Sequence, residues 1–224
     1  MLLTITYGEL FTLVMLIVLP SHIVNTQTIT SEIPSTVEAN ANFMFFLHGR
    51  WLETQGEDQT HPRFGIRYDY NAILGVISRN GIVVIGQIRP DNTQVATYAK
   101  KTADQVLRLI NLGVPARNIT IAGHSKGALI AKHVAMLLKK PDLKYGILAG
   151  CFLNRSSIGD AISGRFISLV DSIDRIAGSC RKEFRHAKRV QFGEIIFDAG
   201  KGHGLFFQPV DLWVSKLVEF AMSK

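Results

Sequence analysis

Apolar runs and longer helical periods alternate along most of the chain. Phe43-Met44-Phe45-Phe46-Leu47 is continuous and apolar and stops at His48-Gly49, the signature of a strand buried on both faces. After an irregular stretch containing Gly56, Pro62 and Gly65, the spacing of Ala72, Ile73, Val76 and Ile77 predicts a helix that ends at Asn80-Gly81. Ile82–Gly86 reads as a second buried strand. Between residues 93 and 112, Val95, Tyr98, Ala99, Thr102, Val106, Leu109 and Ile110 share one helical face, and Gly113 closes that helix. Asn118–Ala122 is a third strand, followed by Gly123–Gly127 and a helix to Lys139.

The rhythm continues with strands at Tyr145–Ala149, Phe166–Val170 and Val190–Phe197, and a last helix from about Pro209, where proline suits a first helical position. Strands separated by helices require right-handed crossovers and therefore parallel pairing. The expected fold is α/β: a mainly parallel, twisted sheet of about six strands with helices on both faces. In such sheets functional loops gather at the carboxyl ends of the strands.

The beginning of the chain departs from this rhythm. Leu10 to Leu19 contains one polar residue, Thr12, and is followed by Pro20-Ser21 and a Thr-rich stretch. Such a run suits the apolar core of an export signal and is short for a membrane span of roughly 20 residues. No Lys or Arg precedes it and no small-x-small cleavage site follows closely, so an uncleaved anchor and a buried N-terminal element stay open beside export. The division read here is residues 1–30 as export signal or membrane anchor and 31–224 as one α/β domain.

Composition narrows the classes. With 47% hydrophobic and 19% charged residues in 224, a sizeable core is affordable and disorder is excluded over most of the length. Two Cys exclude a disulfide-dense scaffold, and neither their spacing nor their neighbours suggest a metal site. The net charge of +7 is carried late, by Arg181-Lys182 and Arg185–Arg189 among others, which reads as a solvated face. No nucleic-acid-reading motif accompanies it, so nucleic acid is not an expected partner.

Gly123-His124-Ser125-Lys126-Gly127 fits G-x-S-x-G between a strand and a helix. There a serine sits on a sharp turn, its hydroxyl over the sheet edge, and the glycines let strand and helix close up. A phosphate-binding loop is the competing reading, but its G-x-x-x-x-G-K-[ST] pattern is absent. Serine needs a base. His203, between Gly202 and Gly204 after the last strand, is the best placed of the seven histidines to supply it. The imidazole in turn needs an acceptor, and the strand ending in Asp171-Ser172-Ile173-Asp174 offers Asp171 and Asp174.

This order of Ser, acid and His resembles the α/β-hydrolase superfamily over roughly residues 42 to 222. The resemblance implies Ser125 as nucleophile, His203 as base and Asp174 as acid, with Asp171 standing where the family pattern has Gly. It also likens Phe46-Leu47-His48-Gly49-Arg50-Trp51 to the segment that helps bind the oxyanion, which implies the backbone N–H groups of Arg50 and Lys126 as the oxyanion hole. No cofactor or metal is implied. Only residues 150 to 165 stand where many members insert a cap, and Asn154–Gly159 is Gly/Ser-rich, so a lidless site is expected.

The function expected is hydrolysis of a carboxylic ester or thioester, small or polymer-borne, through an acyl-enzyme. Two alternatives stay open: a catalytically silent binding or scaffolding protein of the cell envelope, and an acyltransferase using the same residues. Cys151 and Cys180 follow neighbouring strands. In an exported protein they could form a disulfide that pins the loop carrying Asp174; in a reducing compartment they would be buried thiols. The expected setting is outside the cytoplasm, periplasmic or secreted, with possible membrane association through the N-terminal run.

Overall fold

The computed structural model describes residues 28–152 and 161–224. The N-terminal apolar run and the Asn154–Gly159 stretch lie outside the described residues. Strands β1 (Ile29–Thr30), β2 (Asn42–Leu47), β3 (Ile82–Ile85), β4 (Ile119–His124), β5 (Lys144–Leu148), β6 (Gly164–Asp171) and β7 (Val190–Phe197) form one seven-stranded sheet in the order β1-β3-β2-β4-β5-β6-β7. Every pairing is parallel. The expected six strands are all present. The seventh, β1, is a two-residue edge strand inside the segment assigned to the N-terminal leader, too short to show a period.

The alternation along β2 explains the two layers. Phe43, Phe45 and Leu47 pack against helices α3 (Val95–Asn111) and α4 (Lys126–Leu138), while Met44 and Phe46 face α2 (Tyr70–Ser78) and α6 (Asp211–Met222). Ala99, Thr102, Val106 and Leu109 of α3 are buried as their spacing requires. Trp213 and Leu217 of α6 are fully buried on the other face. Two short helices, α1 (Arg50–Gln55) and α5 (Arg181–Phe184), escape sequence reading because one or two turns show no period. The last helix starts at Asp211, two residues beyond Pro209, with Val210 in extended geometry as its cap. Asp211 in its first turn suits the helix dipole.

From β2 the chain crosses toward β3 on one side, and from β4 toward β5 on the other. The carboxyl ends of the adjacent β2 and β4 therefore flank a topological switch point, where crossovers leave in opposite directions and a crevice opens. His48-Gly49 and Ser125 lie at that crevice. Cys151 and Cys180 are joined by a disulfide with Cα atoms 5.2 Å apart. Closing a loop of this length contributes about 3–4 kcal/mol in the chain-entropy model. The Gly178 amide donates to the Cys151 carbonyl at 2.8 Å, so the far end of the Asp174 loop is doubly tied.

Candidate active site

Strand β4 runs through Gly123 and His124, two residues beyond its expected end, so Ser125 stands directly between strand and helix. Ser125 has φ +54° and ψ −113°, a conformation that L residues with a side chain rarely adopt. The glycines are required by contact. A Cβ on Gly127 would lie 1.9 Å from the Leu47 carbonyl oxygen, and one on Gly123 would lie 2.3 Å from the Gly127 carbonyl carbon. Ser125 is held at the tip by its amide, which donates to the Leu148 carbonyl at 2.9 Å.

His203 lies in a 3-10 helix, Gly202–Phe207, and is buried. Gly202 begins that turn at φ +55°, and a Cβ on Gly204 would press on the Phe64 ring at 3.0 Å. His203 Nδ1 lies 2.8 Å from Oδ2 of Asp174, so it donates to that carboxylate, and Nε2 is the nitrogen left for other work. Oδ1 of Asp174 accepts the amides of Ile176 and Ala177 at 2.8 and 3.0 Å.

Asp171 does not touch the imidazole. Its Oδ2 accepts the amides of Lys201 and Gly202 at 2.8 and 2.9 Å, and its carbonyl accepts the Asp174 amide. One buried carboxylate thus ties the acid loop to the histidine turn. Ser125 and His203 line one cavity of about 500 Å³ with Gly49, Arg50, Trp51, His61, Phe64, Ile176 and Phe207 among its walls.

Arg50 and Lys126 are the first residues of α1 and α4. Intrahelical bonding leaves the first amides of a helix free, and dipoles at both helix starts favour negative charge. Behind them lies a buried ion-pair network that sequence reading missed. Glu53 is buried and accepts from Arg89 Nε at 2.7 Å through one oxygen and from Lys126 Nζ through the other. Arg89 also donates from Nη2 to the His48 carbonyl. The Arg89 amide donates to His48 Nε2 at 2.8 Å, so Nδ1 carries the proton and donates to the Gly49 carbonyl at 2.8 Å. The orientation of the Gly49–Arg50 peptide is thereby fixed by a side chain. The one sequence signal was a glutamate in the inward register of a short helix.

Burial and then the Arg89 charge push His48 down to about 3. His124, wholly enclosed and beside His203, is also held well below the ordinary histidine value. Both are therefore neutral near pH 7 and serve the site as shape and hydrogen-bond partners. The Tyr68 hydroxyl lies 3.4 Å from His124 Nδ1, and burial raises its pKa. Among the described residues no cluster of metal-ligating side chains occurs, and no helix is long and apolar enough to cross a membrane.

No protein-family model matches the chain, and no curated protein matches it by sequence. Among solved structures, SOBER1 of Arabidopsis thaliana matches with a TM-score of 0.51 and 14% identity, over 80% of this chain and 97% of its own. A second crystal structure, of a single-substitution form of that protein, matches with a TM-score of 0.51 and 13% identity, over 80% and 98% of the two chains. Identities this low speak to the fold.

Proposed function

The chain has the α/β-hydrolase fold, and on that premise we propose that it is a serine hydrolase cleaving a carboxylic ester or thioester through an acyl-enzyme on Ser125. The observation that carries the reading is the 2.8 Å contact between Asp174 and His203 Nδ1, with His203 and Ser125 on the wall of one cavity.

In this mechanism the Ser125 oxygen attacks the substrate carbonyl carbon and its proton passes to His203 Nε2. The carbonyl electron pair moves onto oxygen, where the amides of Arg50 and Lys126 receive it; losing one such donor typically costs about 3 kcal/mol of transition-state stabilisation. Collapse breaks the bond to the leaving oxygen or sulfur, which takes the proton from His203. A water molecule then attacks the acyl-enzyme, giving its proton to His203, and the free acid departs as the proton returns to Ser125. Asp174 orients the imidazole and stabilises its charged form.

The disulfide supports an oxidising compartment, and with it export, the N-terminal apolar run acting as signal or anchor. A fluorophosphonate probe tests the chemistry: it labels the wild-type chain and fails to label Ser125→Ala. Equal labelling of that variant removes Ser125 as the nucleophile.

A further inference from the structure

A second cavity, of about 460 Å³, meets the first at Arg50 and Ser125. The two differ in chemistry. Trp51, Phe64, Phe207 and Ile176 help line the first, which also holds His203. The second has Asn92, Thr93, Gln94 and Lys126 among its walls together with the apolar Val95, Leu129 and Phe152, and His203 is not one of them.

We propose that these cavities divide the substrate: the aromatic one takes the leaving half, and the polar one takes the acyl half, a short acid bearing a second carboxylate. This rests on the acyl-enzyme reading above. At the tetrahedral carbon four bonds must be placed. One goes to the Ser125 oxygen, and one carries the oxyanion toward the amides of Arg50 and Lys126. The leaving atom receives its proton from His203, so its substituent lies on the His203 side, along the aromatic rings. The acyl chain takes the remaining direction, into the cavity that touches Ser125, Arg50 and Lys126 without His203.

Charge indicates which acid fits there. Glu53 on that wall is already matched by Arg89 and Lys126. Asp91 turns its carboxylate back onto the Asn92 amide at 2.7 Å. Among the described residues the Arg50 guanidinium enters no ion pair, so it is the cation open to a ligand carboxylate. The Thr93 hydroxyl donates to the Pro90 carbonyl at 2.7 Å and the Gln94 side-chain amide to the Asn92 carbonyl at 3.2 Å, so these groups give the wall its polarity and the Arg50 guanidinium supplies the charge a ligand carboxylate would meet.

The test compares 4-nitrophenyl hemisuccinate with 4-nitrophenyl valerate, of similar length, by rapid-mixing kinetics on the wild-type, Arg50→Gln and Phe64→Ala chains. Release of nitrophenol reports acylation and the later steady rate reports deacylation, which contains only the acyl half. The wild type is expected to favour hemisuccinate, and Arg50→Gln to reduce that preference and the deacylation rate about fivefold. Phe64→Ala is expected to act on the burst. Preference for valerate overturns the polar acyl half, and a larger deacylation defect in Phe64→Ala than in Arg50→Gln overturns the assignment of the cavities. Turnover of either ester by Ser125→Ala at the wild-type rate, or no turnover by the wild type, instead sinks the parent reading.

Discussion

On the Ser125 side of the first cavity, geometry is imposed by steric fit: a rare backbone conformation is trapped between glycines that meet the β2 carbonyls and the α4 backbone. On the His203 side, it is imposed by carboxylates: Asp171 and Asp174 gather backbone amides from two loops about thirty residues apart, and only Asp174 reaches the ring. The first device tolerates almost no added volume but carries no charge. The second depends on charge. The lesson is that neighbouring parts of one site should fail under different perturbations.

The largest effect is expected at Gly127. Gly127→Ala drives a methyl into the Leu47 carbonyl, and since backbone on both sides must move, soluble folded protein should not accumulate. Expression with circular dichroism reads this directly; a folded, labelled variant would show that the elbow is less tightly packed than its contacts imply.

Next comes Glu53→Gln, which leaves Arg89 buried without its counter-charge at a cost of about 3–4 kcal/mol in urea unfolding. Asp171→Asn keeps the volume of the arm but removes its charge. It is expected to cost about 2–3 kcal/mol and to lower fluorophosphonate labelling, since two amides of the His203 turn lose a charged acceptor. A variant as stable as the wild type would mean that the turn holds its own shape.

The neutral histidines give a pH test. His48 is near 3 when folded and 6.5 unfolded, so between those values the unfolded chain binds the extra proton. Its contribution is therefore complete above about 6.5 and is lost as pH falls toward 3, by about 1.4 kcal/mol per pH unit. Urea midpoints at pH 7 and 5 should show the fall, with a shallower slope in His48→Gln. The smallest effect has the opposite sign. Ser125→Gly relieves the positive φ and should stabilise the chain by about 1 kcal/mol while abolishing labelling.

Much of the site was legible along the chain because its parts obey local rules. The pentapeptide around Ser125 needs its glycines wherever a strand turns into a helix, and the apolar runs report strands covered on both faces. The acid could be narrowed to Asp171 and Asp174 by position at a strand end. Their separate jobs, one in the ring contact and one in the loop scaffold, depend on where the turn at Lys201–His203 comes to rest.

What residue order determined by itself was therefore the layered α/β architecture and a candidate set of Ser125, His203 and one of Asp171 or Asp174, since burial on one or both faces writes a period that needs no partner to be read. Tertiary structure alone decided the edge pairing of Ile29–Thr30, the division of space on either side of Ser125, and the bridge from Glu53 to Arg89 and Lys126, which lie 36 and 73 residues away. Such contacts leave no periodic trace, because a charge is bearable in the interior only when strand order happens to bring its counter-charge beside it.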